Sequence, residues 1–339
     1  MGDLGRTTAL MATPDGLELV ACPLCSGSEH RVLFERRDHI HGVSDQLFKV
    51  VRCHHCAFVF VNPRPDQLNI HRFYPDEFYD VNSSAETILE QKRDTLNARL
   101  KLVSHLAPGS LLDVGCQKGE FLEVMRRRGW RVQGVEFSTK PPNLFKLPIH
   151  YGTLSDAPYA PGSFDAITLW AVLEHVPDPI LVLRQIERLL KRDGRAFILV
   201  PNFRSIPGRY MRHDDVPRHL VMFTPRTFTI AAQKAGLVPL SWTFGDDVFS
   251  GSTRGVLNFF AKRLAGEQME DILAQNRSPA KWKEFSSYLA GKPSKLMRAV
   301  DLLDIGVTPY LDRLVNWLHF GFTMTVEVAR SRSSDTECS

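Results

Sequence analysis

Residues 111–125 read LLDVGCQKGEFLEVM, and the interpretation of the whole chain starts from this segment. An apolar strand ends in Asp113, a turn carrying Gly115 and Gly119 follows, and a helix begins there. Glycine is favoured where backbone takes a positive φ or closely approaches a ligand, and helix N-terminal amides suit an anionic group. The spacing matches neither a GxGxxG dinucleotide turn nor a P-loop. The segment therefore predicts a ligand-binding strand–turn–helix unit of another kind.

Short apolar segments alternate with helices beyond Pro108, a pattern typical of a parallel sheet covered on both faces. Gly129, Gly194 and Gly236 stand where the helices should end. Strands are predicted at SLLDVG, WRVQGVE, PIHYG, FDAITLWAV, RAFILV and LVPLSW, and helices at GEFLEVMRRRG, DPILVLRQIERLLKRDG and TPRTFTIAAQKAG.

The composition is that of an ordinary folded protein, with 339 residues, 43% hydrophobic residues and a net charge of +4. At ~100 to 200 residues per domain, this length allows one large domain with an appendage or two domains. The charge surplus is too small to indicate a nucleic-acid partner by itself, and such a partner is not expected. Without a basic leader or a long apolar run, the sequence predicts a cytoplasmic protein with no membrane span.

Four of the six cysteines form two CxxC pairs, Cys22 with Cys25 and Cys53 with Cys56. In a chain without a secretion signal, such pairs favour a metal over disulfides. Four thiolates predict tetrahedral Zn²⁺, and a site closed by four cysteines has no open position for catalysis. We therefore expect structural zinc.

The chain divides into segments of different character. A helix is expected from Ser83, with Ser83 and Glu86 as a capping box. The helices after about Ser250 are either a lid or a cap that only buries apolar surface, and a peripheral membrane contact there stays open. The predicted segments are 1–20 flexible tail, 21–82 zinc-binding module, 83–108 connecting helix, 109–249 Rossmann-like core, 250–317 helical insertion, 318–331 last strand and 332–339 flexible tail.

The spacing DxGxxxG at residues 113–119 resembles motif I of the class I S-adenosylmethionine-dependent methyltransferases. Glu136 ends the next strand, where an acid can accept both ribose hydroxyls. With CPLC and RCHHCAFVFVNPRPD, the pattern from Ala21 to Arg330 resembles the subgroup that carries a four-cysteine zinc module, as in sugar C-methyltransferases and related enzymes of polysaccharide and natural-product assembly. This resemblance implies an α/β, Rossmann-like class I methyltransferase sheet with an N-terminal zinc module and a helical insertion before the last strand.

The resemblance also implies which residues hold S-adenosylmethionine. Phe137 would pack on adenine, Thr153 and Leu154 would lie near it, and Trp170 would lie near the methionine end. The full expected set is Asp113, Gly115, Cys116, Gln117, Gly119, Glu136, Phe137, Thr153, Leu154 and Trp170.

Three positions depart from the family pattern. Gln117 replaces the usual middle glycine, so the turn either approaches the cofactor with a Cβ present or points that side chain outward. Ala171 replaces a frequent acid, and Met222 replaces a frequent second histidine. The last two changes make the acceptor site harder to infer than the cofactor site.

The catalytic candidates are two histidines that follow predicted strands. A methyl sulfonium is already activated, so a base is needed only for a hydroxyl or carbon-acid acceptor. His219 is the first candidate, because similar sugar C-methyltransferases use a histidine in this segment as base, and His175 is the second. Tyr74 and Tyr79 either close over the cofactor or pack between the two modules.

The expected function is methyl transfer to a small-molecule or glycan acceptor, with a nucleotide-linked sugar as first guess by resemblance. Two alternatives remain: an RNA methyltransferase whose zinc module grips the substrate, and a zinc-stapled scaffold without activity. Basic residues near the module are interrupted by acids, which weakens the first alternative. The oligomeric state cannot be inferred.

Overall fold

The computed structural model describes residues 9–12, 16–38, 40–79, 84–205, 215–245, 256–264, 266 and 295–331. Its strands are β1 (Ala9–Ala12), β2 (Leu17–Val20), β3 (His30–Arg36), β4 (Phe48–Cys53), β5 (Val59–Val61), β6 (Arg64–Pro65), β7 (Ser110–Val114), β8 (Arg131–Glu136), β9 (Ile149–Tyr151), β10 (Phe164–Trp170), β11 (Leu190–Pro201), β12 (Val221–Met222), β13 (Leu237–Phe244) and β14 (Thr323–Arg330). Its helices are α1 (Asp76–Tyr79), α2 (Ala85–Gln91), α3 (Arg93–Val103), α4 (Glu120–Arg126), α5 (Pro179–Leu189), α6 (Pro225–Lys234), α7 (Val256–Leu264) and α8 (Lys295–Trp317).

A seven-stranded sheet in the order β13-β14-β11-β10-β7-β8-β9 forms the centre of the molecule. Strand β7 pairs in parallel with β8 and β10, whereas β14 pairs antiparallel with β11 and β13. The chain leaves β7 toward β8 and β9 and later returns to β10 on its other side, so strand order reverses at β7. Ligands of open α/β sheets bind at such a reversal, outside the carboxyl ends of the strands. The predicted Rossmann-like sheet and its late last strand are confirmed.

A smaller four-stranded sheet, in the order β12-β5-β4-β3, joins the cysteine-bearing segment to the large sheet. Strand β12 follows β11 in the chain, yet it pairs antiparallel with β5 of the N-terminal part. Phe58 and Phe223 pack beside this junction with ring centroids 5.3 Å apart. The two parts therefore share one hydrophobic core, which positions the N-terminal segment against the large sheet.

The prediction of a loose tail over residues 1–20 is wrong for the part that the structure describes. Strands β1 and β2 pair with each other, and β2 pairs with β6. Arg64 forms a 2.8 Å ion pair with Glu18, and Asn62 exchanges two hydrogen bonds with the backbone of Val20. These partners lie more than 40 residues away, so no local periodicity shows them.

Two helix boundaries also differ from the prediction. Helix α5 ends at Leu189, and Gly194 lies inside β11, where a Cβ would meet the Phe164 carbonyl oxygen at 2.9 Å. Gly194 is thus required for close strand packing and not for a helix end. The connecting helix consists of α2 and α3, divided at Lys92, with Ser84 as the N-cap. Ser83, the predicted cap, lies outside the described residues.

The predicted helical insertion contributes α7 and α8 before the last strand. Residues 267–294 of this insertion lie outside the described part, as do the predicted C-terminal tail 332–339 and residues 1–8 of the N-terminal one. Among the described helices, none combines the length and apolar character that crossing a membrane requires.

Candidate functional site

The turn after β7 has the backbone that its glycines predict. Gly115 has φ +72°, and a Cβ there would meet the Val172 side chain at 2.4 Å. Gly119 has φ +84° and is the N-cap of α4, where a Cβ would meet Leu147 at 2.9 Å. Left-handed backbone and close approach both favour glycine at these positions. The side chain of Cys116 in the same turn is buried, in contact with the core.

Gln117 takes a left-handed conformation, with φ +49°, at the position where the family pattern has glycine. Its side chain is exposed, and Lys92 Nζ lies 3.5 Å from Gln117 Oε1. Its backbone N–H donates a 2.8 Å hydrogen bond to Glu136. Of the two alternatives posed by the sequence, the structure supports a side chain directed outward and a backbone amide directed inward.

Two buried acids stand at the carboxyl ends of β7 and β8. Asp113 accepts a 2.6 Å hydrogen bond from the Thr168 hydroxyl, and burial raises the pKa of Asp113 to about 7. Glu136 accepts hydrogen bonds from the backbone amides of Gln117 and Ser138, and burial raises its pKa as well. Backbone donors hold the Glu136 carboxylate at the mouth of the turn.

The three residues expected near adenine differ in exposure. Phe137 follows Glu136 and is 45% exposed, so its ring is accessible to a ligand. Thr153 donates a 2.6 Å hydrogen bond to Asp156, which fixes the loop after β9. The Leu154 side chain is only 2% exposed and belongs to the main hydrophobic core.

Trp170 ends β10 and lies against helix α3 and helix α4. Its ring packs edge to face on Phe121, with centroids 5.3 Å apart, and the Arg99 guanidinium carbon lies 5.2 Å from its centroid. In the described part of the chain, the buried Trp170 Nε1 has no hydrogen-bond partner. Ala171, the next residue, has φ +56°, so the chain turns sharply at the carboxyl end of the strand.

The two candidate histidines are in contact, with ring centroids 4.7 Å apart. His219 Nε2 lies 4.0 Å from Glu174 Oε1, and Glu174 is 1% exposed. Neither Glu174 carboxyl oxygen has a hydrogen-bond partner among the described residues. Burial raises the pKa of Glu174 to about 8, and it lowers the pKa of His175 to about 4 and that of His219 to about 3. Both imidazoles are therefore neutral near pH 7.

The N-terminal part contributes side chains to this cluster, and sequence analysis missed most of them. Arg218 is fully buried and binds Asp38 through both terminal nitrogens, at 3.1 and 2.8 Å. It also binds Asp215 and the Phe73 carbonyl oxygen. These pairings lower the pKa of Asp215 to about 2 despite burial. The only sequence signal for the ion pair of Arg218 with Asp38 is the charge of Arg218, which directly precedes His219.

The two tyrosines considered from the sequence contact His175 and the segment after Glu136. The Tyr74 hydroxyl is 2.9 Å from His175 Nδ1, and burial raises the pKa of Tyr74. Tyr79 lies near Ser138, and Lys140 Nζ lies 5.5 Å from its ring centroid. Lys140 in turn binds Asp76 at 2.8 Å. Residues 74–79 thus contact the segment after Glu136 directly.

The four cysteines converge, with their sulfur atoms all within 4.8 Å of one another. Cys22 Sγ lies 3.5 Å from Cys56 Sγ, and Cys25 Sγ lies 3.5 Å from Cys53 Sγ. The two CxxC units have the same turn, because Ser26 and Ala57 each have φ +62° and donate an N–H to the first cysteine of their unit. His54 and His55 are exposed beside the second unit. The donor set and its convergence fit one tetrahedral ion.

The large sheet and its turn are similar to a known protein family. A family model described as "Methyltransferase domain" matches residues 87–241. These residues therefore match a methyltransferase domain. The match spans the turn, both acids, the end of β10 and both histidines, whereas Asp38, Tyr74 and Tyr79 lie outside it.

Curated relatives are similar to part of the chain. The ubiquinone biosynthesis O-methyltransferases of Pseudomonas paraeruginosa and Dechloromonas aromatica are 36% and 38% identical to it over 107 residues. Each alignment covers 29% of this chain and 46% of the relative, so the chain spans about half the length of the curated relatives it matches. Among solved structures, geranyl diphosphate C-methyltransferase of Streptomyces coelicolor A3(2) is 16% identical with a TM-score of 0.42, covering 69% of this chain and 80% of that one.

Proposed function

We propose that the protein transfers a methyl group from S-adenosylmethionine to a small-molecule or glycan acceptor. The observation that carries the proposal is the pairing of Glu136 with the turn, in which the Gln117 amide lies 2.8 Å from its carboxylate. This arrangement brings an acid at the end of β8 next to a glycine turn at the end of β7. The ribose of a nucleoside cofactor would be bound by Glu136, and its amino-acid half by the turn of residues 113–119.

The cofactor supplies a methyl group on a sulfonium, which needs little further activation. The chain's own contribution is therefore to position the acceptor in line and to exclude water. Phe137 is exposed enough to cover adenine, and Trp170 would lie near the methionine end. His219 and His175 are the candidate bases near the expected methyl position.

The acceptor class rests on two different supports. Resemblance to sugar C-methyltransferases favours a nucleotide-linked sugar. The similar relatives are named O-methyltransferases, which favours a hydroxyl as the reacting group. These relatives match this chain over only 107 residues, so we extend only the type of acceptor atom to it.

We also propose that the four cysteines hold one structural Zn²⁺. The ion would link the two CxxC turns and brace β4, whose Cys53 ends the strand. This strand pairs with β5, and β5 pairs with β12 of the methyltransferase domain. A stabilised zinc module would therefore keep the segment after β11, which includes His219, in place.

Isothermal titration with S-adenosylmethionine and S-adenosylhomocysteine tests the cofactor proposal without knowledge of the acceptor. We expect binding to one site and a loss of roughly 10- to 100-fold in affinity for Glu136→Ala, because hydrogen bonds to a charged group contribute about 1.5 to 3 kcal/mol. Glu35→Ala, an exposed change on β3, is the matched control. A protein without affinity for either compound would favour the inactive scaffold.

A panel of acceptors then tests the substrate class. Nucleotide-linked sugars, phenolic hydroxyl compounds and a structured RNA are incubated with radiolabelled S-adenosylmethionine, and methyl incorporation is counted. Labelling of a small molecule supports the proposal. Labelling of RNA alone, with binding that weakens steeply in salt, would favour the RNA methyltransferase.

A further inference from the structure

The two ring nitrogens of His175 have different surroundings. His175 Nδ1 lies 3.1 Å from the Arg218 carbonyl oxygen and 2.9 Å from the Tyr74 hydroxyl oxygen. The Tyr74 hydroxyl can donate or accept, whereas a carbonyl oxygen can only accept, so both contacts are hydrogen bonds only when Nδ1 carries the proton of the neutral ring. The lone pair then lies on Nε2, to which no group hydrogen-bonds in the described part of the chain.

His219 shows the opposite arrangement. The backbone N–H of Asp215 donates to His219 Nδ1 at 3.4 Å, so this nitrogen holds the lone pair and Nε2 carries the proton. Nε2 is the nitrogen that lies 4.0 Å from the Glu174 carboxyl. Both nitrogens of His219 are thus directed at protein groups. With its proton on Nε2, His219 has no lone pair on the nitrogen that faces Glu174. This tautomer argues against a metal ion shared by Glu174, His175 and His219, although their ligand atoms lie within 4.8 Å of one another.

The frame around His175 is rigid because its donors and acceptors are themselves held. Arg218 supplies the carbonyl, and its guanidinium is fixed by Asp38, Asp215 and the Phe73 carbonyl oxygen. Tyr74 follows directly after Phe73, so the same N-terminal segment supplies the second contact to Nδ1. This frame fixes the tautomer and the ring orientation of His175, as outer groups do for other functional histidines.

We propose that His175 Nε2, and not His219, takes the proton from a hydroxyl acceptor, with His219 and Glu174 as positioning residues. The inference rests on the proposed methyl transfer. The acceptor O–H bond breaks and its proton forms a bond to Nε2. The oxygen lone pair then forms the bond to the methyl carbon, and the carbon–sulfur pair leaves on sulfur as a neutral thioether. The His175 imidazolium afterwards releases its proton to solvent.

Nitrogen NMR of the histidine rings reads the tautomers directly. The full chain is labelled with ¹⁵N-histidine and saturated with S-adenosylhomocysteine, and the two rings are assigned with His175→Asn and His219→Asn. We expect a protonated Nδ1 and a bare Nε2 for His175, with the reverse for His219. A protonated Nε2 on His175, in either the neutral or the charged ring, overturns the proposal.

Acylation by diethylpyrocarbonate provides a second test on the unmodified protein, so it does not depend on the folding of a variant. The reagent attacks a neutral imidazole nitrogen that bears an accessible lone pair, and peptide mass spectrometry locates the adduct. We expect His175 to react at least 10-fold faster than His219. Faster reaction of His219 contradicts the inference.

The two proposals fail in different ways. Absence of S-adenosylmethionine binding in the titration removes the proposed function, whereas both histidine measurements still report the tautomers. Bound cofactor together with a protonated His175 Nε2 removes only the assignment of the base.

Discussion

The proposed cofactor end of the site, at Glu136 and the turn of residues 113–119, and its proposed acceptor end, at His175 and His219, are built from contacts of very different range. At the cofactor end, Gln117 and Glu136 are 19 residues apart in the chain. At the acceptor end, Tyr74 reaches His175 across 101 residues, and Arg218 reaches Asp38 across 180. The first end is a feature of one βαβ unit, and the second exists only because the N-terminal module packs on the domain. A change in the module should therefore affect the acceptor end before the cofactor end.

Removal of the expected zinc ion should have the largest effect. We expect Cys53→Ala to abolish the content of about one zinc per chain and to lower the melting temperature strongly, because structural metal binding contributes directly to folding free energy. The control is Cys338→Ala, which deletes a cysteine outside both the cluster and the turn of residues 113–119. Metal analysis and thermal unfolding provide the measurements.

One result of this experiment would contradict the dependence of the acceptor end on the N-terminal module. If Cys53→Ala stays folded, loses its metal and keeps full methyl transfer, then the acceptor end does not depend on the module. We expect transfer to be lost while S-adenosylmethionine binding persists.

Replacement of the proposed base should have the second largest effect. His175→Asn keeps a donor near the Nδ1 position and removes Nε2, so the turnover number for an acceptor found in the panel should fall by about 10²- to 10⁴-fold. The affinity for S-adenosylmethionine should change little. His219→Asn is the matched variant and should lose distinctly less turnover. Equal losses in both variants would argue against a single base.

Loss of the buried ion pair between Asp38 of the N-terminal part and Arg218 should have the next largest effect. Asp38→Asn leaves the fully buried Arg218 with one carboxylate fewer, which should destabilise the protein by about 3 to 5 kcal/mol. Asp76→Asn breaks an exposed pair with Lys140 and should cost less than about 1 kcal/mol. Chemical denaturation measures both. Equal stability of the two variants would show that the Arg218 contact does not join the modules.

Gln117→Gly should have the smallest effect, at the cofactor end. Glycine removes the left-handed strain of a residue with φ +49°, worth about 1 kcal/mol, and retains the amide that bonds Glu136. We expect unchanged cofactor affinity within about threefold. A large gain in affinity would mean that the Gln117 side chain obstructs the cofactor.

The strand–turn–helix unit at residues 111–125 could be predicted from the sequence because its signals are local. The strand, the glycines and the acid at Glu136 follow one another in a short segment, and each has a propensity of its own. Gln117 did not disturb this pattern, since its exposed side chain leaves the backbone of the turn intact. The cysteine spacing likewise predicted a convergence that the structure contains.

The remaining features depend on tertiary partners. The predicted N-terminal tail contains strands that are held by hydrogen bonds between Arg64 and Glu18 and between Asn62 and Val20. Gly194 allows β11 to pack closely against Phe164. The preference for one candidate histidine over the other as base could not be derived from sequence spacing either. It depends on which backbone groups face each ring nitrogen.

A crystal structure with S-adenosylhomocysteine would test the proposed cofactor site. We expect both ribose hydroxyls to donate to Glu136 and the homocysteine carboxylate to lie at the turn of residues 113–119. A ligand bound elsewhere, or a turn closed by the Gln117 side chain, would contradict it.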